Sequence, residues 1–91
     1  MKFIFYKIAE NIAHGGMSHC KLHLVDSISK NILQSNVKLQ IGTSLEDDVN
    51  NIFRVNGYFG EYIILRSSKI NTHPSGQYLI CKEKLIKDII E

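Results

Sequence analysis

Histidine and cysteine are the side chains that bind transition metals and carry proton-transfer and thiol chemistry. This chain sets His14, His19, Cys20 and His23 close together, with His73 and Cys81 further along. Zinc needs its ligands to converge at ~2.0–2.3 Å from one point. On a strand, His19 and His23 share a face but stand ~13 Å apart, four residues at ~3.3 Å each, which one ion does not span. On a helix the same two residues become i, i+4 neighbours and could chelate. Cys20 and His23 also make half of a finger-like spacing, but no second half follows. On the strand reading Cys20 points away from both neighbouring histidines, so neither serves it as a base, and it reads as a buried structural thiol.

Other catalytic patterns fail on spacing. Gly16-Met17-Ser18-His19-Cys20 begins like a nucleophile elbow, but Cys20 stands where a second glycine keeps that turn tight. Asp47 and Asp48 read as first-turn helix acids rather than as a general acid and base. No glycine-rich phosphate loop of either common type occurs. The expectation is no catalytic residue, no metal and no cofactor.

Two segments suit binding instead. Asn56-Gly57-Tyr58-Phe59-Gly60-Glu61-Tyr62 brings three aromatics into a glycine-flanked stretch, and exposed aromatics anchor protein interfaces or stack on bases. Tyr58 is the leading contact residue, whereas Phe59 and Tyr62 could each plug the core. Arg66-Ser67-Ser68-Lys69-Ile70-Asn71-Thr72-His73 combines hydroxyls with positive charge, as a loop does that holds a phosphate or an acidic side chain. The candidate partner-binding set is Tyr58, Phe59, Tyr62, Arg66, Lys69 and His73. A solvated hairpin connection is the ordinary alternative for the second segment.

The bulk composition sets the frame that must position these groups. The 91 residues suit one compact domain, residues 1–91, and 44% hydrophobic content rules against intrinsic disorder. A net charge of +2, with Arg54 and Arg66 the only arginines, is a weak signature for phosphate binding, where arginine usually dominates. Two cysteines allow at most one disulfide and fit reduced thiols in a cytoplasmic protein. Lys2, Lys7 and Glu10 interrupt the opening apolar stretch, so it does not read as a signal peptide. No apolar run reaches the ~18 residues of a membrane span. The bias toward Ile, Asn and Lys resembles the product of an AT-rich genome, as in many phages and low-GC bacteria.

Periodicity then predicts an α+β fold: a small, mainly antiparallel sheet of four to five strands with two short helices, in the order βββαββα. Residues 2–11 read as a strand, apolar on both faces. Residues 18–25 read as a second strand followed by a turn over 26–31, with a helix as the competing reading. Val37, Leu39 and Ile41 alternate as a half-buried third. Ser44 and Asp47 resemble a capping box that opens a helix carrying Leu45, Val49, Ile52 and Phe53, stopped by Asn56-Gly57; a tight hairpin around Asn56-Gly57 competes. Residues 61–65 and 78–81 would pair as a hairpin across His73-Pro74-Ser75-Gly76, and residues 82–91 would form a closing helix. An open sheet of this kind leaves edge strands through which a homodimer could form.

The functional expectation follows largely by elimination. The chain reads as a small non-catalytic module that binds a larger protein, such as a phage- or mobile-element-encoded inhibitor of a host protein or defence system. The alternative is a nucleic-acid-binding module using Lys2, Lys7, Lys21, Lys38, Arg66 and Lys69. A small His/Cys metal protein or enzyme is the second alternative.

Overall fold

The computed structural model describes residues 3–14, 17–67 and 76–85. Every regular element among them is a strand: β1 (Phe3–His14), β2 (Met17–Val25), β3 (Ile32–Gln34), β4 (Ser44–Glu46), β5 (Ile52–Phe59), β6 (Tyr62–Ser67) and β7 (Tyr78–Leu85). In the order β1-β7-β4-β5-β6-β2, with β2 returning to β1, six strands close into an antiparallel barrel. One edge of β2 is shared: β6 pairs with Met17–Cys20, and short β3 pairs with Leu24 and Val25.

This corrects the α+β expectation, since no helix occurs among the described residues and the sheet has closed on itself. The helix expected from Ser44 onward is instead β4, a turn and β5. Asp47 explains the difference. Its carboxylate accepts hydrogen bonds from the Val49 amide at 3.0 Å, the Asn51 amide at 2.8 Å and the Asn51 side chain at 2.9 Å. An acid that would cap a helix is equally able to fold a turn back on itself. Val49 and Ile52, placed on the apolar stripe of that helix, are 66% and 52% exposed.

Three further expectations change. Asn56-Gly57 neither stops a helix nor makes a turn; it forms a β-bulge within β5. The strands on either side of His73-Pro74-Ser75-Gly76 do not pair with each other: β6 lies between β5 and β2, and β7 between β1 and β4. Residues 82–85 continue β7 instead of opening a helix, while residues 86–91 lie outside the described residues. The run from Val37 to Ile41 is not a strand, although Leu39 is buried and Val37 packs against the core. By contrast, β2 and its following turn match the strand reading of residues 18–25.

Alternation sets the interior. Ile4, Tyr6 and Ile8 on β1, Cys20, Leu22 and Leu24 on β2, Phe53 and Val55 on β5, and Ile63 and Leu65 on β6 all point inward and are at most 2% exposed. Leu45, Leu79 and Cys81 complete the wall from β4 and β7. Of the register shifts in these ladders, two reset the outer wall. One lies in β1 between Ile8 and Glu10, the other in β5 between Val55 and Gly57. Each extra residue turns over every side chain that follows it.

The barrel is least continuous between β4 and β7, where Glu46 and Ile80 are the sole registered pair. Asp47 reinforces this seam by accepting a 3.0 Å hydrogen bond from the Gln77 side chain. Burial pushes the Asp47 carboxyl upward, but the donors on Asn51, Val49 and Gln77 outweigh it and hold the group below its usual range. The stability it contributes is thus present above the ordinary aspartate value near ~4 and lost as pH falls through the lower folded value. Asp47→Ala should destabilise the barrel by about 2–3 kcal/mol in urea titration, by orphaning these donors. The wild-type midpoint should also fall more steeply than that of Asp47→Asn between about pH 6 and about pH 2; parallel curves would refute this role for the carboxylate.

Tyr6 is fully buried, and its hydroxyl finds no hydrogen-bond partner among the described residues. Burial and the nearby Cys81 push its ionisation well above the usual tyrosine range. An unpartnered buried hydroxyl costs free energy that a phenyl ring does not. Tyr6→Phe should therefore leave stability unchanged or raise it by up to about 1 kcal/mol. A thermal midpoint several degrees lower would show that the hydroxyl is bonded after all.

Candidate functional site: an apolar cleft on the outer wall

The two bulges act on the same patch of surface. In β1, the bulge sends Asn11 toward the buried Cys20, whose thiol donates to the Asn11 side-chain Oδ1 at 3.6 Å, and turns Ile12 outward. In β5, it brings Phe59 to the outer face opposite Tyr62 and leaves Tyr58 on the inner side opposite Ile63. Unbroken alternation from Phe53 and Val55 would have done the reverse. Ile12 and Phe59 are consequently 51% and 68% exposed. The four-strand wall β1-β2-β6-β5 carries the rest: Ile12 stands opposite His19, and His19 opposite Ile64.

Ile12, His19, Phe59 and Tyr62 line a cleft of about 320 Å³. The His19 and Phe59 rings meet edge to face, with centroids 5.7 Å apart and planes at 88°. Such a contact holds an exposed phenyl ring in one orientation. The Tyr62 hydroxyl donates to Glu10 at 3.2 Å, and the Lys21 ammonium sits 5.2 Å from the Tyr62 ring centroid. Lys21 also pairs with Glu10 at 3.3 Å and Glu61 at 3.4 Å. These carboxylates raise the Lys21 ionisation above its usual value, keeping it charged. One lip of the cleft is thus a lysine between two glutamates.

At the other end of the wall, Arg54 of β5 stands directly opposite Arg66 of β6, and Arg66 opposite Met17 of β2. Both arginines are exposed. No carboxylate among the described residues pairs with either.

The sequence-derived candidates therefore separate. Phe59 and Tyr62 are cleft residues, and Arg66 shares their face. Tyr58 instead closes one end of the barrel: its hydroxyl donates to the Leu39 carbonyl, and Lys38 lies 5.3 Å over its ring while donating to the Gly60 carbonyl at 2.6 Å. Gly60 holds a φ of 60° in that hairpin turn, a conformation that suits glycine. Lys69 and His73 lie outside the described residues. Ile12, His19 and Arg54 belong to the face but were not among the binding candidates. Only the shared rarity of Arg54 and Arg66 hinted at the last of these.

The histidine cluster disperses. His19 serves the cleft, His23 accepts a hydrogen bond from the Asn36 amide at 3.2 Å, and Cys20 points into the barrel. No three His, Cys, Asp or Glu side chains converge on a metal-sized site among the described residues. Burial pushes the Cys20 thiol up to about 12, far from a reactive thiolate. Neither Cys20 nor Cys81 forms a disulfide, and both are buried. A disulfide-type thiol reagent at neutral pH should leave both unmodified in the folded protein and label both in urea. Rapid labelling of the native protein would contradict the inward placement.

No protein-family model matches the chain, and no curated protein or solved structure is significantly similar to it.

Proposed function

We propose that the protein is a small non-catalytic binding module that docks a larger protein through the cleft face of its barrel. The observation that carries this reading is Phe59: an aromatic ring 68% exposed, re-aimed outward by a bulge and braced against His19. Rigid exposed aromatics beside an apolar recess are the usual anchors of protein interfaces, because they bury much area with little loss of side-chain freedom. The barrel interior is occupied by core side chains, which leaves the outer wall for recognition. Buried thiols outside any disulfide suit a reducing compartment, in support of a cytoplasmic location. A module of this kind acts by occupying a surface of its target, as an inhibitor does.

Nucleic-acid binding would need the cations to gather. Among the described residues Arg54 and Arg66 stand together, but Lys30 lies over Phe5 and Tyr78, Lys38 over Tyr58, and Lys21 between two glutamates beside the cleft, so the cations do not form one continuous track across this face.

Phe59→Ala should leave the thermal midpoint nearly unchanged, because the side chain is largely exposed, and remove the interaction. Tagged wild-type protein should retain one stoichiometric protein partner from nuclease-treated lysate of its native host, and Phe59→Ala should lose it. Equal recovery by both forms, or recovery of nucleic acid alone, would reject the proposal.

A further inference from the structure

The cleft face has opposite charge at its two ends. Beside Tyr62, Lys21 is outnumbered by Glu10 and Glu61, so that end carries a net charge of −1. Four residues along β6, on the same outward face, Arg66 and its cross-strand neighbour Arg54 give the other end +2. Like charges placed directly opposite each other on a sheet repel and weaken the strand pairing. These are the only two arginines in the chain, and no acid among the described residues neutralises them. A planar guanidinium offers paired donors that match the two oxygens of a carboxylate, and two such groups side by side hold one oxyanion from both flanks.

Resting on the reading of the cleft as a protein-docking surface, we propose that the Arg54–Arg66 pair is a carboxylate receptor: it engages an acidic side chain of the partner protein while an apolar side chain of the same partner enters the Ile12–Phe59 cleft. Charge complementarity selects this occupant over a nucleic-acid strand. A strand stacked on Phe59 would carry its phosphates past Glu10 and Glu61, where they are repelled. A protein segment can instead place one acid at the arginines and a neutral or basic group at the glutamates. The spacing is also specified. Tyr62 and Arg66 are four residues apart on one strand, ~13 Å, so an extended partner segment needs its acid about four residues from its apolar anchor.

The test is nuclear magnetic resonance titration of the isotopically labelled full chain with three probes. The first is a blocked pentapeptide that begins with leucine and ends with glutamate across three serines. The second replaces its glutamate with lysine, and the third is an oligothymidylate octamer. The glutamate peptide should move the Nε–Hε signals of Arg54 and Arg66 together with the backbone amides of His19 and Phe59. It should bind about tenfold more tightly than the lysine peptide, and the double variant Arg54→Gln, Arg66→Gln should bind both peptides alike. Equal binding of the two peptides at the cleft, with the arginine signals still, would overturn the receptor and leave the docking reading intact. Response to the oligothymidylate alone, or to no probe at millimolar concentration, would overturn both.

Discussion

A β-strand turns its side chains over at every residue, and closing six strands into a barrel makes that parity binding on all of them. Inward positions must be apolar and must fit one another; outward positions are left to solvent. The core of this protein obeys the rule from Ile4 on β1 through Cys20, Phe53 and Ile63 to Leu79. Its surface depends on the two places where the rule is deliberately offset. A single inserted residue in β1 and another in β5 turn Ile12 and Phe59 outward and set Tyr58 opposite Ile63, without disturbing the interior on either side. The cleft face is therefore a by-product of register, and its placement is set by the ladder that defines the register.

That origin also explains what the amino-acid pattern could and could not convey. The alternation of residues 18–24 is unbroken, so β2 and the turn after it were readable, and with them the opposed directions of Cys20 and His19. The aromatic stretch around Phe59 was visible as composition, but its orientation depended on a bulge that no local spacing announces. Unbroken alternation assigns Phe59 to the core, and the structure turns it outward, while Tyr58 stays 41% exposed although it stands opposite the buried Ile63. Ile12 was hidden for the same reason. The helix expected from Ser44 failed on a different ambiguity: Asp47 three residues after Ser44 has the chemistry of a capping box and of a turn, and only partners distant in sequence, such as Gln77, decide between them. Pairing of β6 with β2 and of β7 with β1 is non-local, and short-range turn signals carry no information on it.

Electrostatics on the outer wall follows the same strand geometry. Lys21 is held between Glu10, its cross-strand partner on β1, and Glu61 of the β5–β6 turn, which commits those acids, and no carboxylate among the described residues pairs with Arg54 or Arg66. Exposed ion pairs contribute little to stability. Their effect here is to divide one continuous face into an acidic and a basic end, with the aromatic cleft beside the former.

The thin seam between β4 and β7 has a mechanical consequence. Around the ring of strands it lies diametrically opposite the junction of β2 and β6, where the cleft is centred. A barrel held at one point by a single backbone pair and an aspartate latch breathes there first, as a clasp opens before the bracelet bends. Such an excursion unzips the far wall while β1, β2, β6 and β5 stay hydrogen-bonded as a four-stranded curved sheet. The four strands that carry the cleft are joined by three ladders that do not involve this seam, so the weakest link of the ring and the apolar cleft lie on opposite sides of it.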